Sequence, residues 1–541
     1  MKNISVPRFK GWYAPLFFLL FLLVGLFILD DYGISWDESI QRRHGRVSID
    51  YAAKKLGVEH TPLEPEWDLE DYQWQNYGML YSITGNLLEL GLGYEDDPYQ
   101  HYKVRHYVCF LLFWIALIFF YRSIRLRFPE RAWYPLIGTL ALILSPRIFA
   151  HAFFNPKDHI LLVFYLINTY TLLRLLKHRN WSSLVLHALA TGLALNTRLP
   201  ALIVPLTTFL ILGWELLRTR PFPRKNLAFM AAYLPLSVLF LVPFFPYLWE
   251  DTLSRLVGAF SEMSAFNWDS YVWLFGDRIS ALDVPAYYIP AWILITTPLV
   301  YLLFIFTGLY ATVAATMRNL RRVQLWKTEE QLLDFTQLGL AVGPILVVII
   351  LGSTLYNGWR HLHFVFPSFI FLMMVGFDFA RRSWKRPVLV TGLLAAGLLM
   401  TAVQMVRYHP HQYVYFNFAI TGEPLIIRFD MDYWGVGFRD AFLKLAEQVP
   451  EGETRSVKCE VWPCKDNYYA LPPAAKEKLR LEGAWHRADY LMTNFIWPNT
   501  RFDLRDRKEH FAYPALELRP AGQLTIGVYD LNQARENQEK E

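Results

Sequence analysis

Between Asp30 and Gly45 the chain reads DDYGISWDESIQRRHG, which sets four carboxylates, two arginines and a histidine directly after the apolar run Phe17–Leu29. Ionisable groups at the edge of a bilayer-length run are costly unless they are paired or functional. The adjacent acids Asp37 and Glu38 could take a proton from a hydroxyl, or hold a divalent cation against phosphate oxygens. Cations suited to a phosphate recur further along: Arg147 in Ser145-Pro146-Arg147, Lys157 beside Asp158 in Asn155-Pro156-Lys157-Asp158, Arg198 in Asn196-Thr197-Arg198, and Arg360 beside His361 in YNGWRHLH, residues 356–363. Arg42, Arg43 and His44 follow Asp37 itself. Cations converging from several segments could surround a lipid phosphate or diphosphate. A helix over Ile34–His44 would put Asp37 on one face with Gln41, and Glu38 on one with Arg42.

These groups must be positioned by what the apolar runs build. The chain has 541 residues, 54% hydrophobic and 17% aromatic, and runs long enough to cross a bilayer recur from Ala14 to Arg407 and then stop. About eleven spans are expected, at 14–29, 107–121, 133–150, 158–176, 183–197, 199–217, 227–246, 290–313, 337–352, 362–379 and 386–406. Several are shorter than a straight crossing needs and must borrow flanking aromatics or thinned bilayer. Leu29 runs into Asp30 without a small-residue cleavage pattern, so the first run reads as a retained anchor. The fold class is an α-helical polytopic membrane protein, residues 1–406, followed by a small α/β domain, residues 407–541.

The formal charge of +5 does not point to nucleic acid, because Lys and Arg lie in short clusters between apolar runs. They collect in every second connection: Lys2, Arg8 and Lys10, then Arg122–Arg131, Arg174–Arg179, Arg218–Lys225, Arg318–Lys327 and Arg381–Arg386. The short intervening connections hold only Arg147, Lys157, Arg198, Arg255, Arg278 and Arg360. This bias places the N-terminus in the cytoplasm and the tail outside it. Residues 30–106 and 247–289 are then large outer loops. Met79–Leu92 has the one-sided apolar pattern of a helix lying in the interface. The second loop is rich in aromatics (Trp249, Phe266, Trp268, Trp273, Phe275), which suits headgroup depth.

In the tail, Phe438–Gln448 has helical spacing, while Ser456–Val461, Tyr490–Phe495 and Leu524–Tyr529 are short β-rich runs. No Gly-rich nucleotide signature is present. Cys459 and Cys464, both in the outward domain, read equally as a disulfide or as two thiols. Cys109 lies in a span and reads as a small apolar residue.

SWDE after the first span, SPRIFAHAFFNPKDH at the third and fourth, and GWRHLHFVFP followed by YHPHQYVYFN and DYWGVGFRDA resemble bacterial membrane glycosyltransferases of the GT-C superfamily. The similarity is to the branch related to protein O-mannosyltransferases and the aminoarabinose transferase of lipid A. It covers the membrane region and the start of the tail. It implies an active site at the outer face of a bacterial plasma membrane, a polyprenyl-phosphate sugar as donor and an extracytoplasmic lipid, glycan or protein as acceptor. By position it implies Asp37 as catalytic base with Glu38 as neighbour, and Asp158 as a ligand of acceptor or of a divalent metal ion, as in some members. Arg360 and His361 match the phosphate-binding motif, whereas Arg42, Arg147, Lys157 and Arg198 are assigned by side and charge. The tail matches no acceptor-binding domain, so the acceptor stays open.

Each feature also has a plainer reading. Asp37 and Glu38 could be a solvated loop tip, Asp158 a helix-capping carboxylate, and Arg198 a snorkelling side chain. His361 and His363 diverge on a helix and would not share a metal. The competing function is a lipid-linked glycan transporter or assembly subunit, but no midplane charge pair or inverted repeat supports it. For an enzyme, one base and a ring of cations suffice for direct displacement with inversion, because a lipid phosphate leaves well once its charge is met.

Overall fold

The computed structural model describes residues 11–218, 224–264, 268–420, 424–506 and 509–538. Lys2, Arg8, Lys10, Arg220 and Phe266 lie outside the described residues. Among the described residues, nine helices are long and apolar enough to cross a bilayer, and the protein is multi-pass. The expected run at 133–150 is a broken pair, Tyr134–Ile143 and Pro146–Phe154, bent by 68°. Pro146 has no N–H to continue the first helix and instead opens the second. The run at 183–197 is a 15-residue helix, Trp181–Leu195, short for a straight crossing. The run at 290–313 needs correction: the chain is extended at Thr297, Pro298 follows, and only Leu299–Leu320 beyond them is long enough to span.

Helices Asp158–His178 and Arg360–Ser383 are the most enclosed, with 89% and 94% of their apolar windows buried, against 22% for Tyr13–Asp31. Both open on a charged residue of the candidate set, so Asp158 and Arg360 are carried to the middle of one end of the bundle. Close packing holds this centre. A Cβ on Gly308 would come within 1.9 Å of the Leu372 carbonyl oxygen, so Leu299–Leu320 crosses the helix Phe366–Ser383 with the backbones in contact.

The helix expected at the interface spans Leu80–Leu92; Leu87, Leu88 and Leu92 face outward, while Ser82, Asn86 and Glu89 are buried against helix Glu38–Leu56. The aromatic loop departs from expectation. Trp273 sits in a hairpin, β1 (Tyr271–Leu274) with β2 (Asp277–Ser280), and is buried against Arg501 of the tail, 4.8 Å from its guanidinium carbon. Trp268 packs on Tyr356. Trp273 is thus spent on docking the tail and Trp268 on the loop that leads to Arg360, while Tyr271 and Phe275 stay exposed.

The tail holds a five-stranded sheet of β3 (Arg455–Cys459), β4 (Leu479–Leu481), β5 (Tyr490–Thr493), β6 (Pro514–Leu518) and β7 (Ile526–Asp530), in the order β4-β3-β5-β7-β6. β3 runs parallel to β4 and β5, and β7 antiparallel to β5 and β6. Helix Phe438–Gln448 packs Phe438, Phe442 and Leu445 onto Val457, Ile526 and Val528. The two strands not anticipated, β4 and β6, are the sheet edges, which carry charge and proline and so read weakly. Cys459 and Cys464 form a disulfide, with Cα atoms 5.6 Å apart.

Candidate active site

Asp37 is the residue before helix Glu38–Leu56, and Glu38 is its first residue. Neighbours on a helix start are turned about 100° apart. Glu38 accordingly points inward: it accepts from the Ser35 amide at 2.7 Å, as the acidic half of a capping box does, and bonds His106 at 3.0 Å. Its expected place beside the base is therefore corrected; it holds the helix start. Asp37 points the other way, 3.3 Å from Nη2 of Arg360.

Helix Asp158–His178 is capped by Asn155, whose Oδ1 accepts from the amides of Lys157, Asp158 and His159 at 3.1, 2.8 and 3.3 Å. That relieves Asp158 of the capping role. Its carboxylate pairs with Arg198 Nη1 on one oxygen and lies 3.3 Å from Arg360 Nε on the other. Arg360 thus bridges Asp37 and Asp158, held between the rings of Trp434 at 4.3 Å and Tyr356 at 5.3 Å. Lys157 Nζ faces the rings of Tyr77 at 4.3 Å and Trp74 at 5.7 Å. His361 packs on Tyr356 with Nε2 unbonded in the protein.

Two proposed cations are placed elsewhere. Arg42 donates to Glu89 at 2.8 Å and to the Glu95 carbonyl at 2.6 Å, in a knot that Arg105 also joins. The helix turns it towards Leu80–Leu92, away from Asp37. Arg147 donates Nε to the Tyr415 carbonyl at 3.0 Å and is enclosed by Phe416 and Trp292. It contacts neither site carboxylate.

The electrostatics follow from this crowding. Burial pushes the Asp37 carboxyl up, but Arg360, Lys157 and Arg198 outweigh it and hold the group below its ordinary range. Burial brings Lys157 down to about 7, with the Asp37 charge opposing and Arg198 and Arg360 adding to the fall. Two carboxylates among three cations leave a centre that suits an added anion. A divalent cation would have to displace Arg360 from between the carboxylates, and among the described residues no group of three His, Cys, Asp or Glu is arranged to hold a metal.

Arg198 also borders an apolar cavity of about 300 Å³, walled by Leu195, Leu202, Leu234, Val238 and Phe245. One charged group on the border of a greasy recess is the form expected for a ligand with an apolar tail and an anionic head.

The crystal structure of ArnT from Cupriavidus metallidurans in the apo state aligns over 95% of this chain and 97% of that one, at 12% identity and a TM-score of 0.50. The chain shares the fold of that transferase. Residues 103–249, which contain Lys157, Asp158 and Arg198, match the dolichyl-phosphate-mannose-protein mannosyltransferase family. A second structure of the same ArnT, bound to undecaprenyl phosphate, aligns over 96% and 98% at 13% identity with a TM-score of 0.44. No curated protein matches the sequence.

Within this fold, several site residues lie outside the set singled out from sequence. Tyr356 and Trp434 stand inside stretches that drew attention, YNGWRHLH and DYWGVGFRDA, so their position was visible though their part in holding Arg360 was not. Trp74 and Tyr77 lie in an irregular loop where no periodicity marks them. Asn155 carried a helix-start signal, an Asx residue shortly ahead of the apolar run that begins at Ile160.

Proposed function

We propose that this protein is a glycosyltransferase moving a sugar from a polyprenyl-phosphate donor to an acceptor hydroxyl, at the membrane face that carries the C-terminal domain. The observation that carries the reading is the apolar cavity bordered by Arg198, whose guanidinium leads through Asp158 and Arg360 to Asp37. The isoprenoid chain occupies the cavity, the phosphate meets Arg198, Lys157 and Arg360, and the anomeric carbon comes beside Asp37. The matched family is named for a dolichyl-phosphate sugar, which is the same donor chemistry.

The acceptor oxygen attacks the anomeric carbon while Asp37 takes its proton. The bond from that carbon to the phosphate oxygen breaks, and its electron pair leaves on the phosphate, whose gained charge the three cations stabilise. One displacement inverts the anomeric centre, and no carboxylate nucleophile is needed. A donor phosphate also offsets the cations that depress Asp37, so the base gains proton affinity once the donor is bound. The distribution of Lys and Arg supports an N-terminus in the cytoplasm and a site facing outward in a bacterial plasma membrane.

The test is transfer in lipid nanodiscs from a labelled polyprenyl-phosphate sugar, together with the mass difference of envelope glycolipids, glycans and proteins between cells with and without the gene. A product of inverted configuration made by the wild type and not by Asp37→Asn is expected. Normal product from Asp37→Asn would overturn the assignment, and altered donor pools with unchanged products would indicate transport.

A further inference from the structure

We infer that Asn467, far from the site in sequence and outside the membrane bundle, is a positioning residue for Asp37. The inference rests on Asp37 being the base. The four residues before Asp37, Gly33 to Trp36, enter the site with no helix or strand to satisfy their backbone, yet Gly33, Ile34 and Ser35 are buried. Buried backbone groups must find partners. The Ile34 amide donates to Asn467 Oδ1 at 2.9 Å, and Asn467 Nδ2 donates to the Ile34 carbonyl at 2.9 Å. One side-chain amide therefore pairs both backbone groups of one residue, as a neighbouring strand would. The same Nδ2 also lies 2.8 Å from the Pro463 carbonyl oxygen and 3.2 Å from that of Gly435.

Two further contacts key the segment onto the tail. The Trp36 amide donates to the Trp434 carbonyl at 3.0 Å. A Cβ on Gly33 would sit 2.3 Å from the Val436 carbonyl oxygen and 2.5 Å from Asn467 Oδ1, so only glycine lets the strands of chain approach this closely. Asn467 itself is 1% exposed and rides on helix Trp462–Tyr469, which the Cys459–Cys464 disulfide ties to β3. The route from sheet to base is thus β3, disulfide, helix, Asn467, Ile34 and, three residues on, Asp37. Lys157 and Arg198, which would meet the phosphate, stand on other segments outside this route, and Arg360 touches it only through the Trp434 ring and Asp37.

That separation defines the experiment. In full-length protein in nanodiscs, Asn467→Ala leaves the Ile34 N–H and C=O unpaired, and kcat should fall about tenfold or more while KM for the polyprenyl-phosphate donor stays within about twofold. Hydrogen exchange of peptides covering residues 33–38 should speed by about tenfold or more, with peptides from 160–176 unchanged. Gly33→Ala should reproduce both effects. Wild-type kcat and exchange in Asn467→Ala would overturn the proposal, and so would a general rise in exchange across the bundle, which marks a merely structural residue. If the wild type transfers nothing from such donors, the functional reading fails by itself; localised exchange at 33–38 then still reports the clamp, and its absence rejects it.

Discussion

The guanidinium carbon of Arg360 lies 4.3 Å from the centre of the Trp434 ring, so a residue of the tail holds the cation that bridges Asp37 and Asp158. Such a contact is worth about 0.5–2 kcal/mol when desolvated. Trp434→Phe should retain most of kcat/KM for the donor, and Trp434→Leu should lower it by about tenfold, measured by initial rates of transfer.

Asp37→Asn removes the proton acceptor but keeps the size of the side chain. Turnover should fall by about 10²–10⁴-fold. Donor affinity should hold or tighten, because a negative charge beside the phosphate is lost; equilibrium binding of a labelled polyprenyl phosphate checks this. Weakened binding with proportional loss of turnover would make Asp37 a donor ligand instead.

Lys157, at about 7, gives the pH profile its alkaline limb. In the proposed reaction its charged form is the one that meets the phosphate, so kcat/KM for the donor should be full well below pH 7 and fall as pH rises through it. Lys157→Arg keeps its charge and should flatten the limb. The acid limb belongs to Asp37 and should lie below the usual carboxylate range, since its group is depressed in the free protein.

Glu38 separates from Asp37 by its effect on folding. Glu38→Ala strands the Ser35 amide and His106, a loss of about 1–3 kcal/mol, and should lower the thermal midpoint. Glu38→Gln still accepts from Ser35 and should keep kcat within a few-fold. A loss of turnover in Glu38→Gln equal to that of Asp37→Asn would restore Glu38 to the chemistry.

Filling the cavity should discriminate donors by tail length. Leu234→Trp or Leu202→Trp narrows the recess next to Arg198 and should raise KM for a long polyprenyl phosphate sugar by about tenfold, leaving a short-chain analogue nearly unaffected. Equal effects on both would detach the cavity from the donor.

Much of the architecture was legible because it rests on local pattern. Apolar runs marked the bundle, and Phe438–Gln448 has the same limits in sequence and structure. The position of Asp37 showed through charge density after a span. What stayed hidden depends on contacts across long separations. Asp158 could be a cap or a partner until Asn155 was seen to cap the helix and Arg198, 40 residues on, to pair with it. Arg42 and Arg147 carry the right charge on the right side of the bundle, yet only packing shows that Glu89 and two aromatic rings occupy them. The pair Asp37 and Glu38 looked alike as neighbours, and the turn of one helical residue gave them different surroundings.

Asp37 and Arg360 are separated by 323 positions. At about 5–20 residues per second of synthesis, roughly 15 to 65 s pass between the emergence of the acid and of its counter-charge. Trp434 arrives later still. A half-made chain therefore already displays the carboxylate but lacks the bridging arginine and its indole support, so the cluster of charges around Asp37 is not assembled before the tail is complete.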